Sequence, residues 1–247
     1  MDPTAVGPKP PSPNDGRDLR RVIADLLLVV GGVLLAFPLW SGLFATLQQG
    51  RLGDAYGREA AAFRVSVRAS QQDRPKRELP PEVEARRLAK VFAKGLETGD
   101  PIGWLTIRRL DLRELVQQGV TGQASLDPGG DRAMLRKGLV HYGITPLPGA
   151  GEPFAVAGHR TTYGAPFSRL DALRPGDRMM VDTPYALFVY EVVKTTTVRP
   201  DDVGVLYDRG YGLVLTTCTP RWSASHRLIV WGRLVSFELL ERLRPLD

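Results

Sequence analysis

Cysteine is almost missing from this 247-residue chain: Cys218 stands alone, and only three histidines accompany it. One cysteine excludes an internal disulfide and any multi-cysteine zinc site. His141, His159 and His226 are scattered without ligand spacing, so no metal is expected. A phosphate-cradling glycine loop and a dinucleotide fingerprint are also lacking, and no cofactor is called for. Lys and Arg outnumber Asp and Glu by 33 to 27, a formal net charge of +6. The arginines are nevertheless spread out, with no dense basic block and no interleaved aromatic module. That distribution argues against nucleic acid and fits an anionic surface. The Asp201-Asp202 pair reads as a solvated turn rather than a cation site. There is no internal repeat.

What the chain does have falls into four stretches. Residues 1–21, opening with proline, glycine and aspartate, read as a disordered tail. The run 26–47 carries no charge over about 22 residues, which at ~1.5 Å per residue crosses a hydrocarbon core of roughly 30 Å. It marks residues 22–47 as a single transmembrane anchor, too long for a signal h-region and followed by no convincing cleavage site. Arg17, Arg20 and Arg21 crowd its N-terminal flank more closely than Arg51, Arg58 and Arg64 crowd the other. The N-terminus is therefore expected in the cytoplasm, with the rest outside.

Residues 48–99 read as a linker: a polar, irregular stalk, then an amphipathic helix over 81–97 opened by Pro80-Pro81. Val83, Leu88, Val91, Phe92 and Leu96 are spaced to share its buried face. From residue 100 to 247 the period changes. Short runs rich in β-branched and aromatic residues cover 102–107, 112–117, 154–157, 178–181, 186–194, 212–217 and 228–239. Turn signals such as Pro148-Gly149 and Pro175-Gly176-Asp177 separate them, and helical turns are expected at 132–136 and 167–173. The fold class is mainly β, a closed β-barrel with short helices.

The chemistry gathers at 213–234. An apolar strand ends at Cys218, a turn follows, and a second strand opens at Arg227, nine positions on (227 − 218 = 9). A thiol near its ordinary pKa of ~8.5 needs a base or a charged neighbour to become a nucleophile. Any of the three histidines could supply it. His159 stands directly after a strand, behind Gly158; His141 lies in a loop before Tyr142; His226 lies in the loop after the thiol. An arginine nearby would stabilise the oxyanion that forms when an amide carbonyl is attacked, or orient the peptide.

Three segments together resemble the sortases, membrane-anchored transpeptidases of Gram-positive bacteria. They are Ala-Gly-His-Arg-Thr-Thr-Tyr-Gly at 157–164, Leu-Thr-Thr-Cys-Thr-Pro at 215–220 and His-Arg-Leu-Ile-Val at 226–230. The resemblance covers roughly 102–240 and implies Cys218 as nucleophile, His159 as general acid/base and Arg227 as oxyanion stabiliser. It implies cleavage of a C-terminal sorting motif between Thr and Gly through a thioacyl intermediate. Transfer to an amine of a peptidoglycan precursor of the lipid II type follows. The wording around Cys218 and His159 is most similar to class E, the actinobacterial housekeeping group, which prefers Leu-Ala-x-Thr-Gly to Leu-Pro-x-Thr-Gly. Tyr142 and Thr217 are the residues implied to line the substrate groove. A pilus-building or narrow-substrate sortase, and a non-catalytic anchored barrel, are the other readings.

Overall fold

The computed structural model describes residues 15–72, 79–120, 126, 132–151, 153–210 and 212–240. Eight strands carry the C-terminal part: β1 (Pro101–Ile107), β2 (Leu112–Gln118), β3 (Leu139–His141), β4 (Phe154–Ala157), β5 (Arg178–Asp182), β6 (Ala186–Val198), β7 (Leu213–Thr219) and β8 (His226–Leu239). They close into a barrel in the order β1-β2-β3-β4-β7-β8-β6-β5. Two contacts are parallel, β2 with β3 and β4 with β7. The remaining contacts are antiparallel. The expected runs all became strands. The three-residue β3, which places His141 in a strand rather than a loop, was not anticipated.

Alternation along each strand divides the apolar residues between two faces. Leu213, Leu215 and Val230 join Phe154, Val156 and Phe188 in the main core. Each such side chain, buried completely, is worth roughly 1.5–3 kcal/mol. The residues between them, Val214, Ile229 and Trp231, join Ala155 and Ala157 in a second cluster covered by Leu126, Met134, Tyr142 and Leu206. The thiol belongs to this second face, because Cys218 shares parity with Val214 and Thr216.

The chain divides into two units, 1–40 and 41–247. Helix α1, Asp15–Gln72, enters both. In the first unit its apolar side chains stand open to the surroundings: Leu28, Leu35 and Leu39 are all largely exposed. Among the described residues this is one helix long and apolar enough to cross a membrane. Most of the expected disordered tail lies outside the described residues, and its last part, 15–21, is helical.

In the second unit α1 corrects the expectation of an irregular stalk, since it remains helical through Gln72. The reason is a narrow stripe at helical spacing, Tyr56, Ala60, Phe63 and Val67. Tyr56 and Ala60 pack on Leu115, and the Phe63 ring meets Phe92 edge-on at 5.1 Å. Gln49 serves as a polar clamp. Its Oε1 accepts from the Leu115 N–H (2.8 Å) and its Nε2 donates to the Lys137 carbonyl (3.1 Å).

The next helix, α2, runs Pro81–Ala93 with proline in its first turn. It buries Ala85, Leu88, Ala89 and Phe92. Val83 and Val91, expected on that face, are exposed instead. A last short helix, α3 (Arg132–Leu135), matches the helical turn expected there.

Candidate active site

Cys218 occupies the penultimate position of β7, half-buried, with a different chain segment on each side. On one flank β8 runs antiparallel and puts Arg227 directly opposite Cys218. Directly opposed residues share a face, with Cα atoms about 4.5–5.5 Å apart. On the other flank β4 runs parallel, with Ala157 alongside Thr216. His159 stands two residues past Ala157, the last paired residue of β4, as Cys218 stands two residues past Thr216, the partner of Ala157. The order of strands across the sheet is β4, β7, β8, with Cys218 and Arg227 paired on the last two.

Hydrogen bonds extend the β4–β7 zipper past the last assigned residue of β4. The Gly158 N–H donates to the Thr216 carbonyl (3.1 Å), and the Thr217 hydroxyl donates to the Gly158 carbonyl (2.8 Å). Position 158 has no room for a side chain. A Cβ there would lie 2.7 Å from both Leu139 and Phe167. This glycine is what lets the histidine come up against the strand of the thiol.

His159 is half-buried, and its ring lies 5.4 Å from that of Tyr163, with the Arg136 guanidinium 5.6 Å from the Tyr163 centroid. Burial and then the Arg136 charge hold the imidazole below its ordinary pKa. The ring is thus favoured in its neutral form, the form able to take a proton. Replacing Arg136 with glutamine removes the second of these causes. The His159 titration midpoint, followed by NMR of the imidazole C–H, is expected to move to higher pH.

Arg227 is buried to 4 % exposure. Its Nε donates to the Leu126 carbonyl (2.9 Å) and its Nη1 to the carbonyls of Ala224 (2.8 Å) and His226 (3.1 Å). The guanidinium is oriented by backbone acceptors from two chain segments, Leu126 and the residues just before Arg227. Between thiol and arginine the loop 220–225 carries Trp222, 82 % exposed with φ +66°.

The other two histidines separate cleanly. His141 is buried on the core side, stacked 4.8 Å from Phe154. Its Nδ1 contacts Gln118 Oε1 and its Nε2 contacts Thr145 Oγ1, each at 3.0 Å. Both nitrogens are committed, and burial pushes the pKa down to about 3. An unfolded chain protonates this residue near 6.5. Its contribution to stability is full above that pH and shrinks as pH falls from 6.5 toward 3, by up to about 1.4 kcal/mol per unit. Chemical denaturation across that window should show wild type losing stability more steeply than His141→Gln. His226 is exposed, opposite Thr219, with Nδ1 on the Ser225 hydroxyl (3.0 Å).

The two residues expected to line the substrate groove are both buried. Tyr142 is 4 % exposed, its hydroxyl 2.7 Å from Thr216 Oγ1 and donating to the Leu126 carbonyl at 3.4 Å. Thr217 is 3 % exposed, its hydroxyl committed to Gly158. Leu126, unmarked in the sequence, is the point where Tyr142 and Arg227 meet, because its one carbonyl accepts from both.

A family model described as the sortase domain matches residues 105–235. Sortase SrtE1 of Streptomyces coelicolor is 35% identical over 150 residues, 56% of this chain and 42% of that protein. Sortase SrtE2 of the same organism is 31% identical over 139 residues, 49% of this chain and 54% of its own length. The chain thus spans about half the length of these curated relatives. Among solved structures, a sortase D5 transpeptidase of Clostridium perfringens is 25% identical with a TM-score of 0.50, covering 64% of this chain and 90% of that one.

Proposed function

The chain belongs to the sortase family, and from that premise we propose that it is a class E cysteine transpeptidase acting on proteins with a C-terminal sorting motif. The observation that carries the reading is the pairing of Cys218 with Arg227 across β7 and β8, with the segment that leads into His159 bonded to β7 on the other side through Gly158. His159, held neutral by its surroundings, takes the thiol proton as sulfur attacks the threonine carbonyl of the motif. The carbonyl π pair moves onto oxygen, and Arg227 stabilises that oxyanion. Collapse breaks the Thr–Gly C–N bond. The glycine nitrogen leaves as an amine with the proton from His159, and a thioester remains on Cys218. An acceptor amine of a peptidoglycan precursor then attacks the thioester, gives its proton to His159 and releases the thiol.

Tyr142 and Thr217 act from behind the groove in this scheme. Thr217 holds the histidine segment through Gly158, and Tyr142 braces Thr216 and Leu126. The apolar part of α1 anchors the protein in a membrane. The arginines at 17, 20 and 21 favour a cytoplasmic N-terminus and an external barrel. The Streptomyces relatives named sortase SrtE1 and SrtE2 support class E, and with it a preference for Leu-Ala-x-Thr-Gly.

Mass spectrometry of the protein incubated with Leu-Ala-x-Thr-Gly and Leu-Pro-x-Thr-Gly peptides tests the scheme. The expected product is an acyl adduct on Cys218 ending at threonine, formed faster with alanine. Cleavage without any adduct on Cys218 would sink it, and faster reaction of the proline peptide would reject class E.

A further inference from the structure

Arg160 follows His159 directly, yet its guanidinium turns back to the strand of the thiol. It is 6 % exposed, and its Nη1 donates to the carbonyl of Cys218 itself (3.3 Å). Its Nη2 pairs with Asp171 Oδ2 at 2.9 Å, while its buried Nε meets no acceptor among the described residues. Asp171 lies in the 3-10 turn Leu170–Ala172 and is half exposed. The loop between them is folded back by Phe167, whose N–H donates to the His159 carbonyl (3.1 Å). A second arginine repeats the stitch from the other side, since Arg221 Nη2 donates to the Ser168 carbonyl (2.5 Å).

A buried guanidinium with an unmet N–H is a poor device for stability alone, because desolvating the charge offsets much of what its bonds return. It is a good device for geometry. Its rigid planar fork joins two acceptors at a set spacing, which a lysine ammonium does not reproduce. Here one acceptor is the backbone of the thiol residue and the fork belongs to the residue beside the imidazole. The link therefore closes a ring, running from the His159 backbone through the Arg160 side chain to Cys218 and back through Gly158 and Thr217.

We infer that Arg160, oriented by Asp171, is a positioning residue that sets the separation of the His159 ring and the Cys218 sulfur. The inference rests on the proposed roles of those two residues. Positioning acts on the chemical step, so losing it lowers kcat and leaves KM nearly alone. An ångström of misplacement costs on the order of a hundredfold.

The experiment compares Arg160→Lys, Asp171→Asn and their double variant on a Leu-Ala-x-Thr-Gly peptide, with thermal melts alongside and Cys218→Ala as reference. Asp171→Asn, altering a half-exposed carboxylate, keeps the test decisive where Arg160→Lys fails to fold. Folded Asp171→Asn is expected to lose about tenfold in kcat and Arg160→Lys about tenfold to a hundredfold, each with KM within about twofold. The double variant should be no worse than Arg160→Lys alone, because both break one link. An inactive Cys218→Ala beside Asp171→Asn turning over within about twofold of wild type overturns the inference and spares the mechanism. Losses that appear in KM, or that multiply in the double variant, overturn it as well. Cleavage retained by Cys218→Ala strikes the mechanism instead.

Discussion

Cys218→Ala is expected to abolish cleavage of a sorting peptide while the barrel stays folded. Removing the nucleophile of a covalent mechanism leaves only binding and oxyanion stabilisation, so turnover should fall by at least about 10⁴-fold. The fold should survive because Cys218 is half-buried at the end of β7, outside both apolar clusters. Deleting one exposed-edge sulfur opens no cavity of the kind that makes core truncations costly. Chromatography of the cleaved peptide and a far-UV melt measure the two halves of the expectation. Activity surviving in a folded alanine variant would remove the thiol from the mechanism altogether.

Arg227→Ala should combine two losses that can be read apart. The first is in turnover, about tenfold to a thousandfold, the range for a lost oxyanion donor. The second is in stability. The carbonyls of Leu126, Ala224 and His226 all lose their guanidinium donor. A buried acceptor left bare costs about 1–3 kcal/mol. Leu126 is fully buried and bears the larger share. Arg227→Lys keeps the charge but puts its donors on one nitrogen, which cannot reproduce the spacing of Nε on Leu126 and Nη1 on Ala224 and His226, so it should rescue poorly in both respects. Steady-state kinetics on the folded fraction and a denaturant titration separate them. A variant that melts early yet turns over normally below its melt would make Arg227 a strut and nothing more.

The strands were legible because each is a short run rich in β-branched and aromatic residues, cut off by glycine and proline turns. The places of Cys218 and Arg227 at strand ends, and of His159 just past one, were legible because turn residues follow or precede each strand. The rest was hidden for definite physical reasons. In residues 48–72 the stripe of Tyr56, Ala60, Phe63 and Val67 is one residue wide and diluted by arginine and glycine, so composition suggested a stalk where the structure has a helix. β3 is too short to show any period. Tyr142 carries a polar tip, but its hydroxyl is spent inside on Thr216. The pairing of Arg160 with Asp171 and with the Cys218 carbonyl joins points 11 and 58 positions apart (171 − 160 and 218 − 160). No local spacing encodes such a link.

The docked stretch of α1 has a practical corollary for where the protein can be trimmed. A cut at residue 100, where the strands begin, strips Leu115 of its cover by Tyr56 and Ala60 and deprives its N–H of Gln49. It also exposes the flank of Tyr185 that Phe63 and Phe92 shield. The fragment would carry a greasy scar along β1 and β2, prone to clump. Scission ahead of Gln49 spares that seam while discarding the exposed apolar stretch.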